Sequence, residues 1–298
     1  MNKVIVITGP TAVGKTKLSI KLAHLLNGEV INCDSTQVYK HLDIATAKVT
    51  IEEMESIPHH LIDIKNIDED YSVYDFQIEC RKKIDEIFKR NKTPILVGGT
   101  GLYIKAALYD YNLGNVDMIN YKDYDNYSNL ELYNMLLSVD KDTLIHMNNR
   151  KRVIKALNYY NIYKRPYSEK VKTDNLLYDT IFIGLTTDRS ILYDKINNRV
   201  DNMIENGLID EAYNIYKSNI RTKAVMTPIG YKELFNYFDK SMELDDCIEL
   251  IKKNSRHYAK KQYTWCNNQF NMKWFDVDFN NFDKTINDVY KYIETTNT

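Results

Sequence analysis

Residues Gly9–Thr16 read Gly-Pro-Thr-Ala-Val-Gly-Lys-Thr, and no other stretch restricts the possible fold of this chain as strongly. The β-branched run Lys3–Thr8 predicts a strand before them, and leucines at helical spacing predict a helix over Lys17–Leu26. A strand, a glycine-rich turn and a helix start together form a phosphate-binding loop, in which backbone N–H groups surround a phosphate. Lys15 adds a positive charge, and Thr16 adds a hydroxyl suited to Mg²⁺. The predicted contacts to a di- or triphosphate are Gly9, Pro10, Thr11, Ala12, Val13, Gly14, Lys15 and Thr16.

Strand and helix patterns alternate along most of the chain. Further strands are predicted at Glu29–Cys33, Pro94–Val97, Thr180–Leu185 and Lys273–Phe275, and helices at Tyr74–Lys89 and Ser190–Asn206, with Asp188 and Gly207 as caps. The alternation predicts an α/β fold with a P-loop NTPase-like parallel sheet core. Ligands of such sheets bind at the carboxyl ends of the strands, where the Gly9–Thr16 loop falls.

One segment, from residue 111 to residue 173, lacks a strand pattern. It is polar and rich in tyrosine, with short helical patterns at Leu130–Leu137 and Arg150–Tyr160. We interpret residues 111–173 as a small helical insertion domain, and residues 1–110 with 174–298 as the core domain with C-terminal helices. For Asn112–Ser128 a flexible linker is the alternative interpretation.

The overall composition excludes several classes of protein. With 40 Lys and Arg against 41 Asp and Glu the formal charge is −1, so any nucleic-acid role must depend on a local basic surface. The four cysteines form no CxxC pair, which argues against a zinc site, and the absence of a leader pattern favours a cytoplasmic protein. No apolar run reaches about 18 residues, so no membrane span is expected. Nothing in the sequence demands an oligomer, so we expect a monomer. We also expect no obligate protein partner.

Two predicted strands end in segments that could contribute to a site. Asp34 follows Glu29–Cys33 and could hold Mg²⁺ through water, accept a proton from a nucleophile that attacks near the phosphates, or cap a helix. Its position does not distinguish the metal role from the base role. The segment Gly98–Tyr103 follows Pro94–Val97 and is either a tight turn or a wall of the site.

A long helix is predicted near the C-terminus, over Asp245–Trp265. Basic residues spaced by four form two rows along it, Lys252, Arg256 and Lys260 in one and Lys253, His257 and Lys261 in the other. Such rows are either a solvated face or a phosphate-binding surface.

Seven segments together resemble the bacterial tRNA dimethylallyltransferases, and they occur in family order between residue 4 and about residue 276. They are Gly9–Thr16, Asp34–Lys40, Asp43–Lys48, Pro58–His60, Gly98–Tyr103, Gly230–Leu234 and Tyr258–Trp265. The resemblance implies transfer of a dimethylallyl group from dimethylallyl diphosphate to N6 of the adenosine 3′ to the anticodon, in tRNAs that read codons beginning with U. It implies Mg²⁺ as cofactor and the tRNA anticodon stem-loop as partner.

The resemblance also implies roles for single residues. The phosphate-binding loop would hold the diphosphate of the prenyl donor, and Asp34, Thr11 and Arg199 are the expected catalytic residues, with Asp34 as the base and Arg199 on the diphosphate. Thr16 is the expected Mg²⁺ ligand. The expected tRNA contacts are Asp34, Ser35, Thr36, Gln37, Thr100, Lys151, Arg152, Lys155, Thr227, Gly230, Tyr231, Lys232, Arg256 and Lys260.

Other functions share parts of this pattern. A sister prenyltransferase that modifies free adenine nucleotides has the same loop and aspartate, and a small-molecule kinase or NTPase is compatible with the loop alone. The insertion and the basic helix favour tRNA over a free nucleotide. An RNA-binding protein with an inactive site is disfavoured because Lys15, Thr16, Asp34 and Arg199 are all present.

Overall fold

The computed structural model describes residues 3–110, 121–169 and 175–296; residues 111–120 and 170–174, near the ends of the expected insertion, lie outside this description. In the described residues the strands are β1 Lys3–Thr8, β2 Gly28–Asn32, β3 His59–His60, β4 Thr93–Val97, β5 Asp179–Thr186 and β6 Lys273–Asp276. All pair in parallel in the order β3-β2-β4-β1-β5-β6. The predicted α/β fold is confirmed, and each predicted strand is present with small shifts at its ends.

The helices in the described residues surround this sheet or form the insertion. They are α1 Lys15–Leu25, α2 Val73–Lys89, α3 Gly101–Leu108, α4 Asn129–Val139, α5 Arg150–Tyr163, α6 Arg189–Glu205, α7 Leu208–Lys217, α8 Lys223–Met226, α9 Tyr231–Phe238, α10 Leu244–Gln269 and α11 Phe282–Thr295. The Asp188 side chain accepts a hydrogen bond from Ser190 N and caps α6 as predicted. Gly207, with φ 96°, follows the last residues of α6 and directly precedes α7.

The core lies around the central strand β1. Its residues from Val4 to Thr8 are all buried, which explains the uninterrupted apolar run. Leu18 and Leu22 of α1 and Val289 of α11 pack in the same apolar cluster as the sheet residues. Because strands flank β1 on both sides, the Gly9–Thr16 loop leaves from the middle of the carboxyl edge of the sheet.

The chain divides into two compact units. One contains Met1–Leu108 and Leu176–Thr298, and the other contains Tyr109–Asn175, within two residues of the boundaries expected from the sequence. The smaller unit has its own apolar core, formed by Leu132, Leu136, Val153, Ile154, Ala156 and Leu157. Across the described ranges, no helix has the length and apolar character that crossing a membrane requires.

Candidate active site

The phosphate-binding loop joins β1 to α1 with a backbone that requires glycine at two positions. Gly9 has φ 138°, and a Cβ there would overlap the carbonyl oxygen of Leu185 on the neighbouring strand. Gly14 has φ 94° and precedes the first residue of α1. Left-handed backbone of this kind is costly for other residues, so the glycines fix the loop at the start of the helix.

Lys15 folds back over the loop from the first turn of α1. Its Nζ donates to the carbonyl oxygens of Gly9, at 3.0 Å, and Pro10, at 2.7 Å. The residue is partly exposed, yet its ammonium end is enclosed, and this burial is the largest cause that lowers the pKa of Lys15. The positive charge of Arg199 also lowers the pKa and the negative charge of Asp34 raises it, so that the pKa is about 8. The loop therefore holds closely placed positive charges that an anionic ligand would stabilise.

Thr11 connects the loop to two helices. Arg199 Nη1 on α6 donates to Thr11 Oγ1 at 3.1 Å, and Thr11 N donates to Gln262 Oε1 on α10 at 2.9 Å. Gln262, which is 6% exposed, also donates through Nε2 to the carbonyl oxygen of Gly99 at 3.3 Å. Burial lowers the pKa of Arg199, and the nearby Asp34 charge opposes that shift. The structure thus brings the expected catalytic residues Thr11, Arg199 and Asp34 into one neighbourhood.

Gln262 was not among the site residues expected from the sequence. The signal available was a polar side chain on the inner face of the predicted C-terminal helix, in line with Ile251 and Tyr258. Its partner Thr11 lies 251 positions away, so only the folded chain reveals the hydrogen bond.

Asp34 is held by a local turn directly after β2. Its Oδ1 accepts hydrogen bonds from Thr36 N at 2.9 Å and Thr36 Oγ1 at 2.6 Å. Asn32 fixes the backbone on either side, accepting from Asp34 N at 3.0 Å and donating to Asp34 O at 3.1 Å. No helix begins here, so the helix-cap interpretation of Asp34 is wrong. Within the described parts of the chain, no hydrogen bond reaches Oδ2, and this oxygen can accept a proton.

The Gly98–Tyr103 segment is a wall of the site. A Cβ on Gly98 would overlap the backbone of Cys33, and one on Gly99 would overlap the Gln262 amide. Thr100 Oγ1 accepts from Ser35 N at 3.1 Å and donates to Ser35 Oγ at 3.3 Å. The glycines allow the backbone after β4 to approach the segment that carries Asp34.

Two adjoining cavities meet at these residues. The larger, of about 550 Å³, is lined by Thr11 to Thr16 of the loop and by Asn32, Asp34, Gly98, Gly99, Arg199, Tyr258 and Gln262, among others. The smaller, of about 130 Å³, is lined by Ser35, Thr36, Ala45, Thr227, Pro228, Ile229 and other residues. Both are lined by Thr11, Asp34, Thr46, Arg199 and Tyr258. Asp34 therefore lies where the cavity beside the Gly9–Thr16 loop joins the smaller cavity.

Tyr258 is an aromatic residue that lines both cavities. Although 38% of the residue is exposed, its hydroxyl end is enclosed, and burial raises the pKa of Tyr258. Hydrogen bonds with the side chains of Thr100 and Gln262 partly offset that rise. Tyr258 thus contacts both the wall after β4 and the residue that holds Thr11.

The oxygen donors of the larger cavity fit a magnesium ion that arrives with a diphosphate. Thr16 is exposed in the first turn of α1, and both Thr16 and Asp34 line this cavity. Among the residues that the structure describes, no group of three or more His, Cys, Asp or Glu side chains could hold a metal by itself. Mg²⁺ commonly binds through one or two protein oxygens together with substrate phosphates and water, which matches this donor set.

The expected tRNA contacts differ in exposure. Lys151 and Arg152 are exposed on α5 of the smaller unit, and Lys155 is partly exposed there. In the larger unit Thr227, Lys232 and Lys260 are exposed. Arg256 Nη1 donates to Asn197 Oδ1 at 2.6 Å, and Gln37 Nε2 donates to the carbonyl oxygens of Thr46 and Ala47.

Two of the expected RNA contacts, Gly230 and Tyr231, lie in the interior of the larger unit. Both are buried, and the Tyr231 side chain has no exposed surface. Its hydroxyl donates to Glu211 Oε1 at 2.7 Å, and burial raises the pKa of Tyr231. A buried side chain with an internal partner of this kind supports the fold around the site.

Comparison with known proteins gives consistent matches. A family model described as IPP transferase matches residues 37–269. The tRNA dimethylallyltransferase of Anoxybacillus flavithermus is 48% identical over 299 residues, covering 98% of this chain and 96% of the relative. That of Halalkalibacterium halodurans is 45% identical over 304 residues, covering 98% of this chain and 96% of the relative.

Solved structures match over nearly the whole chain. The full-length tRNA isopentenylpyrophosphate transferase from Bacillus halodurans has a TM-score of 0.76 and 44% identity, covering 99% of this chain and 96% of that one. A eukaryotic dimethylallyltransferase acting on tRNA has a TM-score of 0.83 and 34% identity, covering 92% of this chain and 73% of that one.

Proposed function

Because the chain belongs to the IPP transferase family, we propose that it transfers a dimethylallyl group from dimethylallyl diphosphate to the N6 amine of a tRNA adenosine. The target is the adenosine 3′ to the anticodon in tRNAs that read codons beginning with U, and the product is N6-isopentenyladenosine. The observation that carries the proposal is the position of Asp34 at the junction of the phosphate-binding cavity and a second cavity.

The donor binds with its diphosphate in the Gly9–Thr16 loop. Lys15 and Arg199 place positive charge at this loop, and their depressed pKa values mark a site that favours an anion. The same charges stabilise the negative charge that grows on the departing diphosphate. Mg²⁺, when bound beside Thr16, supplies further positive charge to the leaving group.

The acceptor is activated by Asp34. The adenine N6 amine is a weak nucleophile because its lone pair is delocalised into the ring. As N6 attacks the allylic carbon, the bond between that carbon and the diphosphate oxygen breaks, and Asp34 Oδ2 takes the N6 proton. The two hydrogen bonds from Thr36 to Oδ1 hold the carboxylate in place for this transfer. An adenosine stacked in an anticodon loop cannot reach Asp34, so it must turn out into the cavity.

The proposed partners are the tRNA anticodon stem-loop and dimethylallyl diphosphate, with no obligate protein partner. Lys151, Arg152 and Lys155 of the smaller unit and Lys260 of α10 are the proposed phosphate contacts, because each carries a charge at least partly open to solvent. Action on tRNA suits the cytoplasmic location expected from the sequence.

The direct test combines purified protein, Mg²⁺, dimethylallyl diphosphate and an unmodified tRNA that reads codons beginning with U. We expect mass spectrometry of the digested tRNA to detect N6-isopentenyladenosine, and no product when the target adenosine is replaced by guanosine. Parallel reactions with AMP, ADP or ATP as acceptor test the free-nucleotide alternative, and ATP hydrolysis without donor tests the kinase alternative. Failure with every tRNA, where a related enzyme is active, would contradict the proposal.

A further inference from the structure

Glu211 on α7 lines neither cavity, yet its carboxylate accepts four hydrogen bonds. Oε2 accepts from the backbone N of Asp43 at 3.0 Å and of Ile44 at 2.8 Å. Oε1 accepts from Ala45 N at 3.1 Å and from Tyr231 Oη at 2.7 Å. Three successive backbone N–H groups thus converge on one carboxylate, an arrangement that favours an anion.

The groups that bind Glu211 belong to two different walls of the smaller cavity. Ala45 lines that cavity directly. Pro228 and Ile229 line it from another segment, and Tyr231 begins α9 two residues after Ile229. Glu211 is therefore hydrogen-bonded to both of these walls, and the distance between the two walls sets the width of the smaller cavity.

The two walls are also in close contact beside Glu211. A Cβ added to Gly230 would lie 3.2 Å from the Cβ of Ala45, so the backbone of one wall packs tightly on the other. Gln37, from the segment that carries Asp34, donates to the carbonyl oxygens of Thr46 and Ala47. The position of the wall that begins at Asp43 is thereby linked both to Glu211 and to the Asp34 segment.

We propose that Glu211 is a positioning residue for the acceptor adenosine. It touches no substrate; it fixes the two walls so that the purine that enters the smaller cavity presents N6 to Asp34. This inference rests on the proposed function, since it assigns the smaller cavity to the acceptor. The phosphate-binding loop does not depend on Glu211, so donor binding should be independent of it.

The test uses Glu211→Gln, which keeps the shape but places an NH₂ group where an oxygen accepts hydrogen bonds. Loss of charge-assisted hydrogen bonds should lower kcat/KM for tRNA by at least about tenfold, while KM for dimethylallyl diphosphate changes by less than about twofold. Asp210→Asn is the matched control, because it removes the same charge from the neighbouring exposed position of α7 and should behave like the unaltered protein.

Tyr231→Phe gives a second variant, which removes only one of the four hydrogen bonds and should cause a smaller loss in the same direction. If Glu211→Gln does not fold, Tyr231→Phe decides the question. The inference would be overturned if Glu211→Gln lowered the Tm but had the same kinetics with tRNA as Asp210→Asn. It would also be overturned if the kinetics with tRNA and with dimethylallyl diphosphate were impaired equally. Absence of prenylated tRNA from the unaltered protein would instead count against the proposed function.

Discussion

At the scale of single residues, Lys15 shows how the fold prepares the loop for an anion. Burial and the charge of Arg199 hold the pKa of Lys15 at about 8, below the 10.5 of an unperturbed lysine. Between these two values the unfolded chain binds more protons than the folded one, so this group's contribution to stability increases as the pH rises through that window. In the proposed mechanism the diphosphate binds to the charged form of Lys15, so the affinity for the donor should decrease as the pH rises through the same window.

Dimethylallyl diphosphate should bind less tightly as the pH rises above about 8, because Lys15 loses its proton. We expect Kd to increase by up to about tenfold per pH unit above that value when only the charged form binds, measured by calorimetry between pH 7 and 9.5. The Lys15→Met variant should bind dimethylallyl diphosphate weakly at every pH in this range. Its Tm at pH 7 should be higher than that of the unaltered protein. A Kd for the unaltered protein that stays constant from pH 7 to 9.5 would contradict this assignment.

Asp34 carries the proton transfer in the proposed mechanism. Asp34→Ala should lower kcat by about 10²- to 10⁴-fold, the usual contribution of a general base, and should leave donor binding largely intact. Quenched single-turnover reactions give the rate, and calorimetry gives the donor affinity. A kcat close to that of the unaltered protein would mean that another group accepts the proton.

At the scale of secondary-structure elements, α10 connects the donor loop to the wall after β4. The Gln262 side chain accepts a hydrogen bond from Thr11 N and donates one to the carbonyl oxygen of Gly99. Removal of the amide leaves both backbone groups without this hydrogen-bond partner. A buried polar group without a hydrogen-bond partner costs free energy. Because Thr11 belongs to the Gly9–Thr16 loop, we expect loss of the Gln262 amide to weaken binding of the prenyl donor.

Gln262→Leu should raise KM for dimethylallyl diphosphate by about tenfold or more, the cost of leaving Thr11 N and Gly99 O unpaired, with a smaller effect on KM for tRNA. Gln269→Leu is the control, since it makes the same substitution near the end of the same helix at an exposed position. Steady-state kinetics with each substrate varied in turn distinguish the outcomes. Equal changes in both KM values would point to a general distortion of α10.

Elements with strong local patterns could be predicted from the sequence, and elements defined by tertiary contact could not. The apolar runs of β1 and β4 and the loop between β1 and α1 all occur as expected. The strand β3 escaped prediction because it has only two residues, His59 and His60. The roles of Gln262 and Glu211 arise from partners far away in the chain, for which local periodicity carries no signal.

At the scale of the whole molecule, the charge of −1 gives no general attraction to RNA. In our proposal tRNA binding therefore depends on local basic groups, among them Lys151, Arg152 and Lys155 on the smaller unit. Each phosphate contact that is lost should reduce the dependence of affinity on salt, because fewer counterions are released.

Replacement of Lys151, Arg152 and Lys155 by alanine should weaken tRNA binding and leave donor affinity unchanged. The slope of log K against log salt should become shallower by about 0.7 to 0.9 for each phosphate contact removed. Fluorescence anisotropy with labelled tRNA across a range of KCl concentrations measures it. Lys141→Ala, an exposed lysine of the same unit, is the control, and an unchanged slope in the triple variant would remove these residues from the RNA surface.

The central claim is that one carboxylate faces both a prenyl donor and an adenosine amine. A crystal structure with an unreactive analogue of dimethylallyl diphosphate and an anticodon stem-loop tests it most directly. We predict the diphosphate against Lys15 and Arg199, and Asp34 Oδ2 about 2.6 to 3.2 Å from N6 of the flipped adenosine. An adenosine bound away from Asp34, or a diphosphate outside the Gly9–Thr16 loop, would contradict the account.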